Sequence, residues 1–311
     1  FKSAGLWAGL DGPLLFWTLI LAGVSALAAL QHRWSSLHPS GRRMEPNVYL
    51  VLCAIIGFFV ALAIRENPFN EMEPRQAIHL ASAYNIPLDH QGNLLNGKGL
   101  NPQLVNYWFV IHPPCLYLGM VIFAVPFAFG MAALISGELG SYWVRVTRRW
   151  PMAAWLFLTC GIILGGLWAY RQLGWGGYWA WDPVETGSLL PWLALLVIIH
   201  ARARPDPEGA FSVSPAMGLI AGALAMHATL VTRANGVWAS VHAFVADGEG
   251  ALPQDPYLRV LKIADFSPVG IEISAYLVAL VALGGFAVLH LHRDCLLYTS
   301  DAADEKRGVD L

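Results

Sequence analysis

Charge is scarce in this chain. Only 13% of its 311 residues are Asp, Glu, Lys or Arg, while 56% are hydrophobic, and a soluble domain carries a charged fraction of about 25%. A soluble globular fold is therefore excluded. The net charge is −2, with no basic tail, so no nucleic-acid partner is expected. Cysteine is sparse as well. The four residues Cys53, Cys115, Cys160 and Cys295 contain no C-x-x-C pair, and the first three lie in or beside apolar stretches. They read as buried structural thiols and not as a redox couple. Internal repeats and low-complexity segments are absent. So are an initial Met and a signal sequence, and further chain is expected to precede Phe1.

What the chain has in quantity is long apolar runs, with a mean hydropathy of +0.51. Runs near 13–30, 48–64, 113–135, 152–170, 183–200, 214–233 and 269–289 are long enough to cross about 30 Å of hydrocarbon at about 1.5 Å per helical residue. The expected fold is an all-α polytopic membrane protein, a bundle of seven transmembrane helices forming one domain over residues 1–294. Residues Cys295 to Glu305, C-L-L-Y-T-S-D-A-A-D-E, resemble the translation of a transposon-end adapter used in preparing DNA sequencing libraries. Residues 295–311 are accordingly expected to be a sequencing artefact, and residues 1–294 the middle of a longer protein. Short loops carry Arg33, Arg42 and Arg43, then Arg145, Arg148 and Arg149, then Arg202 and Arg204. The positive-inside rule assigns these loops to the cytoplasm, which leaves residues 65–112, 171–182 and 234–268 on the outer side.

One outer segment stands apart. Trp175 to Glu185 reads W-G-G-Y-W-A-W-D-P-V-E, with three Trp, a Tyr and two carboxylates in eleven positions. An aromatic belt that only anchors helices needs scattered Trp and Tyr. A dense run interrupted by Gly-Gly and closed by Asp-Pro reads instead as a stacking platform for a large planar ligand, formed by Trp175, Tyr178, Trp179 and Trp181. The block also ends in a helix start. Asp182 can cap, Pro183 suits the first helical position, and Glu185 sits three residues after the cap as in a capping box. Glu185 is expected to be a cap partner; Asp182 stands between cap and ligand site.

His112, in V-I-H-P-P-C-L-Y, precedes two prolines that open a span, so it is placed at the outer helix end, where the N-terminus disfavours an imidazolium. A neutral imidazole there suits a heme iron. His242, in W-A-S-V-H-A-F-V, lies on a later outer loop, and topology brings both to the face carrying the Trp block. Together they can supply both axial positions of one iron. His200 ends the span that starts at Asp182, roughly 27 Å deeper by helix rise. It either meets water at the inner end or ligates a second, membrane-embedded heme. His227 is a weaker candidate of the same kind. Arg171 and Arg233 border the outer surface, and either pair with heme propionates or snorkel to headgroups.

These motifs resemble a known family. W-G-G-Y-W-A-W-D-P-V-E is similar to the tryptophan-rich (WWD) signature of heme-handling membrane proteins of cytochrome c maturation. G-L-N-P-Q-L at 99–104, V-I-H-P-P-C-L-Y-L-G at 110–119 and S-V-H-A-F at 240–244 resemble heme lyase subunits of the CcmF type. Tyr178 stands where the pattern usually has Trp, and the stretch from Arg233 to His242 is one residue longer than usual. The resemblance implies that His112 and His242 hold heme delivered by a CcmE-type chaperone, and that His200 is one ligand of a permanent b-type heme whose second ligand lies outside this sequence. It implies a bacterial inner-membrane location with a periplasmic active face. The implied reaction adds the two thiols of a C-x-x-C-H motif in apocytochrome c across the heme vinyl groups. CcmH- and CcmI-type subunits handle those thiols, and quinol supplies electrons. The chain contributes no nucleophile of its own; it contributes position, ligation and water exclusion. The alternatives are a lyase dedicated to nitrite-reductase cytochromes and a heme transfer protein with the same Trp-rich signature.

Overall fold

The computed structural model describes residues 3–9, 11–32, 39–69, 73–95, 99–100, 104–138, 142–172, 176–203, 215–233, 269–286 and 289. Trp175, His242 and the proposed division at residue 294 lie outside the described residues. After a short 3-10 turn at Ser3–Trp7, helices run in the order α1 Asp11–His32, α2 Pro39–Glu66, α3 Pro74–Tyr84, α4 Tyr107–Ile122, α5 Ala124–Ser136, α6 Tyr142–Val146, α7 Arg149–Gln172, α8 Pro183–Ala203 and α9 Pro215–Arg233. A further apolar helix, α10, spans Val269–Phe286. No extended strand occurs among the described residues, where an isolated bridge pairs Leu88 with Leu94.

Six of the expected crossings are helical segments of sufficient length and apolarity, with α4 and α5 counted as one segment, Tyr107–Ser136. The seventh, expected near 214–233, is present as α9, whose apolar part Met217–Arg233 is shorter. The chain is therefore an all-helical, multi-pass membrane protein. Leu19, Leu27, Leu50, Ile64, Val278 and Leu283 are exposed on α1, α2 and α10, as side chains facing lipid would be.

Two features differ from the sequence expectation. The span expected to open at Pro113 begins at Tyr107, where the Asn106 side chain caps it by accepting from the Phe109 amide at 2.8 Å. Pro113 and Pro114 therefore lie inside α4. Pro113 has no N–H to offer the carbonyl four residues back, that of Phe109. The Trp7 indole donates to that oxygen instead, at 3.1 Å. The same span also breaks at Phe123, between α4 and α5.

The closest helix approaches place the site. α4 packs most extensively on α7, α8 on α9, and α2 on α5. Glycines let α4 and α7 touch: a methyl group at Gly119 would come within 2.6 Å of the Leu158 backbone nitrogen, and one at Gly161 within 2.9 Å of the Leu116 backbone. Opposite ends of the bundle carry different polar groups. Arg43 pairs with Glu138 at 3.0 Å, and Asn47 donates to Ser136 at 2.8 Å, at the end where α5 stops. At the other end Arg65 forms an ion pair with Glu272, joining α2 to α10.

Candidate functional site

His112 sits in the second turn of α4, seated against α7. Its Nδ1 lies 2.7 Å from the Gly161 carbonyl oxygen. A carbonyl can only accept, so Nδ1 carries the proton and Nε2 is the basic nitrogen, the form in which imidazole binds a metal. The ring fits where α7 lacks a side chain: a methyl group at Gly165 would lie 2.6 Å from His112 Cε1. Trp168, one helical turn beyond Gly165, is buried and holds its ring nearly parallel to the imidazole, with centroids 6.5 Å apart and planes at 15°. The spacing Gly161, Gly165, Trp168 thus presents a carbonyl, a gap and an aromatic wall along one face of α7.

His112 also lines a cavity of about 180 Å³. Trp7, Trp17, Phe109, Tyr117 and Trp168 supply its aromatic wall, and Arg233 lies on its lining at the end of α9. Trp7 and Phe16 stack at 5.5 Å, and Phe16 meets Tyr117 edge-on at 6.0 Å, so the wall is braced from behind. Arg233 is only 7% exposed. Its Nη1 donates to the Thr232 hydroxyl at 3.1 Å, and the Glu66 and Asp11 carboxyl groups lie within electrostatic reach. A largely apolar cavity with a basic nitrogen on one helix and a buried guanidinium on another fits a flat apolar ring that carries an acidic edge. Heme is a ring of this kind; His112 Nε2 would face its iron and Arg233 a propionate if it were bound here.

The aromatic segment folds over the other side of His112. A second recess is lined by His112, Gly165, Gly166, Tyr178, Trp179 and Glu185. Tyr178 stacks on Tyr170 of α7 with ring centroids 4.5 Å apart and planes at 8°. The missing side chain at Gly166 admits the Tyr178 carbonyl, 3.1 Å from where a methyl would stand. Trp179 and Trp181 meet edge-to-face at 6.0 Å. The expected capping box is present: Asp182 Oδ1 accepts from the Val184 amide at 2.8 Å, and Glu185 Oε2 accepts from the Asp182 amide at 3.3 Å. Asp182 therefore acts as the N-cap of α8, with its Oδ1 engaged in that role.

The remaining candidates separate. Arg171 ends α7 exposed, whereas Arg233 is buried on the cavity lining, so the two arginines are not equivalent. His200 is exposed at the opposite end of α8, its Nδ1 donating to the Leu196 carbonyl at 2.8 Å, which makes Nε2 the basic nitrogen there as well. Gly187 packs on Ala228, so His227 is level with Ser188 and His200 lies twelve residues deeper, roughly 18 Å by helix rise. Those two histidines do not converge on one ion. Trp168, Trp7 and Tyr117 are site residues that the sequence does not single out. Each sits in or beside an apolar run, where an aromatic lining a cavity reads the same as one filling a core. The spacing Gly161-x-x-x-Gly165 is the available signal.

Residues 7–234 match the family model described as "Cytochrome C assembly protein". The cytochrome c-type biogenesis protein CcmF of Haemophilus influenzae is 34% identical over 305 residues, which is 98% of this chain and 40% of that protein. CcmF of Pseudomonas aeruginosa is 38% identical over 256 residues, 80% of this chain and 35% of the relative. A solved structure of the cytochrome c heme lyase CcmF superposes with a TM-score of 0.52 at 25% identity, over 94% of this chain and 43% of that one. The chain thus spans well under half the length of the curated relatives it matches.

Proposed function

Because this chain belongs to the cytochrome c assembly protein family, we propose that it serves in cytochrome c-type biogenesis as the heme-holding part of a CcmF-type heme lyase. The observation that carries this reading is the meeting of His112, with Nε2 as its basic nitrogen, and buried Arg233 on one aromatic cavity beside the Trp-rich segment. Heme b, delivered as substrate by a CcmE-type chaperone, brings the iron and the two vinyl groups at which the bonds form. His112, on α4, would be one ligand of the iron, and His242, later in the sequence than α9, would be the second. Arg233 neutralises a propionate, and Tyr178, Trp179 and Trp181, with Trp175, cover the ring and exclude water.

Each substrate thiol of the apocytochrome C-x-x-C-H motif adds across a vinyl C=C. A C–S bond forms, the S–H bond breaks and its hydrogen ends on the neighbouring carbon, so no external oxidant is needed. The chain's part is to hold the ring still and dry while CcmH- and CcmI-type subunits present the thiols. His200, exposed at the other end of α8 with Nε2 as its basic nitrogen, would hold a separate, permanent b-type heme, and that heme would supply redox chemistry with quinol as the electron source. The assembly sits in the bacterial inner membrane with the His112 end facing the periplasm.

The test is maturation of a reporter cytochrome c by the full-length protein carrying His112→Ala or His242→Ala. Covalent heme in the reporter should be lost in both. Unchanged maturation in both variants would reject the ligand assignment.

A further inference from the structure

Trp181 has a backbone conformation that its side chain does not favour. Its φ is +57°, in the left-handed region where bulky residues are rare, and its indole is 71% exposed. A helix cap does not require this: Asp182 caps α8 through its own Oδ1, one residue later. The strain has an identifiable restraint. Glu185 Oε2 accepts from the Ala180 amide at 2.9 Å as well as from the Asp182 amide at 3.3 Å. These are the two amides that flank Trp181, so one carboxylate oxygen grips the chain on both sides of the strained residue. An ordinary capping box makes only the second of these bonds. The Trp181 ring stands edge-to-face on Trp179, at 6.0 Å and 88°. Glu185 also lines the recess it shares with Trp179 and His112.

We propose that Glu185 is a positioning residue for the aromatic platform: through Ala180 and Asp182 it holds Trp181 in the left-handed conformation that presents its indole for contact with the bound ring. This role goes beyond the cap that the sequence pattern assigns to Glu185. The functional half of the proposal rests on the heme-holding reading above, whereas the positioning half concerns the chain alone.

Two readouts on the full-length protein keep these halves apart. In the first, the protein carries 5-fluorotryptophan, and the Trp181 fluorine resonance is assigned by its disappearance in Trp181→Phe. With no heme present, Glu185→Ala should shift or broaden that resonance. Glu185→Gln, whose amide oxygen can still accept from both amides, should restore it. An unmoved Trp181 resonance in Glu185→Ala overturns the proposal, because a cap that merely stabilises α8 would leave a folded Trp181 where it was.

The second readout is hemin affinity by Soret titration. Glu185→Ala and Trp181→Ala should each weaken binding about tenfold, and the double variant should be no weaker than either single one, since Glu185 acts through Trp181. Losses that multiply overturn the functional half. A parent protein that binds no hemin sinks the heme-holding reading as well, while the fluorine measurement still decides whether Glu185 positions Trp181.

Discussion

At the scale of single residues, the site depends on groups that fit by what is missing beside them. Gly165→Ala would put a methyl 2.6 Å from His112 Cε1, so the ring must leave the Gly161 carbonyl or α4 must move away from α7. Overpacking of this kind costs about 1–3 kcal/mol. The full-length variant should insert and fold but retain much less heme, as measured by pyridine hemochrome per mole of purified protein; parental retention would show that the seat is not needed. Arg233 makes a different prediction, because its charge matters to an acidic edge and not to an apolar ring. Arg233→Gln should weaken binding of hemin while hardly changing that of hemin dimethyl ester, and exposed Arg171→Gln should change neither in Soret titrations. Equal losses for both porphyrins would assign Arg233 to packing. Such distinctions are only partly legible in the sequence. Arg171 and Arg233 look alike as basic residues beside spans; burial separates them, and burial depends on how α9 packs on α8 and α5.

Among the elements, α4 departs furthest from its sequence pattern. His-Pro-Pro suggests a helix start, because prolines favour first turns, yet Asn106 caps the helix a full turn before His112. The prolines can be drawn inside because an indole from the start of the chain satisfies the carbonyl that Pro113 leaves open. That donor is 102 residues away in sequence, and no local pattern shows it. Trp7→Phe should therefore destabilise the protein by about 1–2 kcal/mol through an unsatisfied buried carbonyl, seen as earlier thermal unfolding in detergent. Pro113→Ala, which supplies a local N–H to Phe109, should recover part of that loss in the Trp7→Phe background. No recovery would mean that Trp7 acts through ring packing on Phe16. The start of α8 is the opposite case. Its Asp-Pro-x-Glu pattern is legible because every partner lies within five residues. The loop after α3 is equally local: Asp89 accepts from the Gln91 and Asn93 amides at 2.8 Å each, and these bonds, Asn93 first, hold its carboxyl below the usual range. A lowered pKa contributes order above the ordinary carboxylate value, a contribution lost as pH falls through the folded one. Protection of the Gln91 and Asn93 amides, taken as the ratio of intrinsic to observed exchange rate, should thus be present at neutral pH and fall as pH drops into the acid range, and Asp89→Ala should abolish it at every pH.

For the molecule as a whole, the crossings are legible because a run of about 20 apolar residues is long enough to span the hydrocarbon layer and is rarely tolerated elsewhere. Their packing is not. Apolar helices in lipid choose neighbours through small residues and shape, so Gly119, Gly161 and Gly165 set the α4–α7 contact that an apolar count cannot resolve. That contact turns a histidine, a buried tryptophan and a strained aromatic segment into neighbours at one end of the bundle, with His200 at the other. The most direct test of this arrangement is ligand replacement at His112, using the absorption spectrum of purified full-length protein given hemin. His112→Gly should lose the low-spin heme spectrum of the outer site, and added imidazole should restore it by entering the space left beside Gly165. Full low-spin binding in His112→Gly without imidazole would contradict the account.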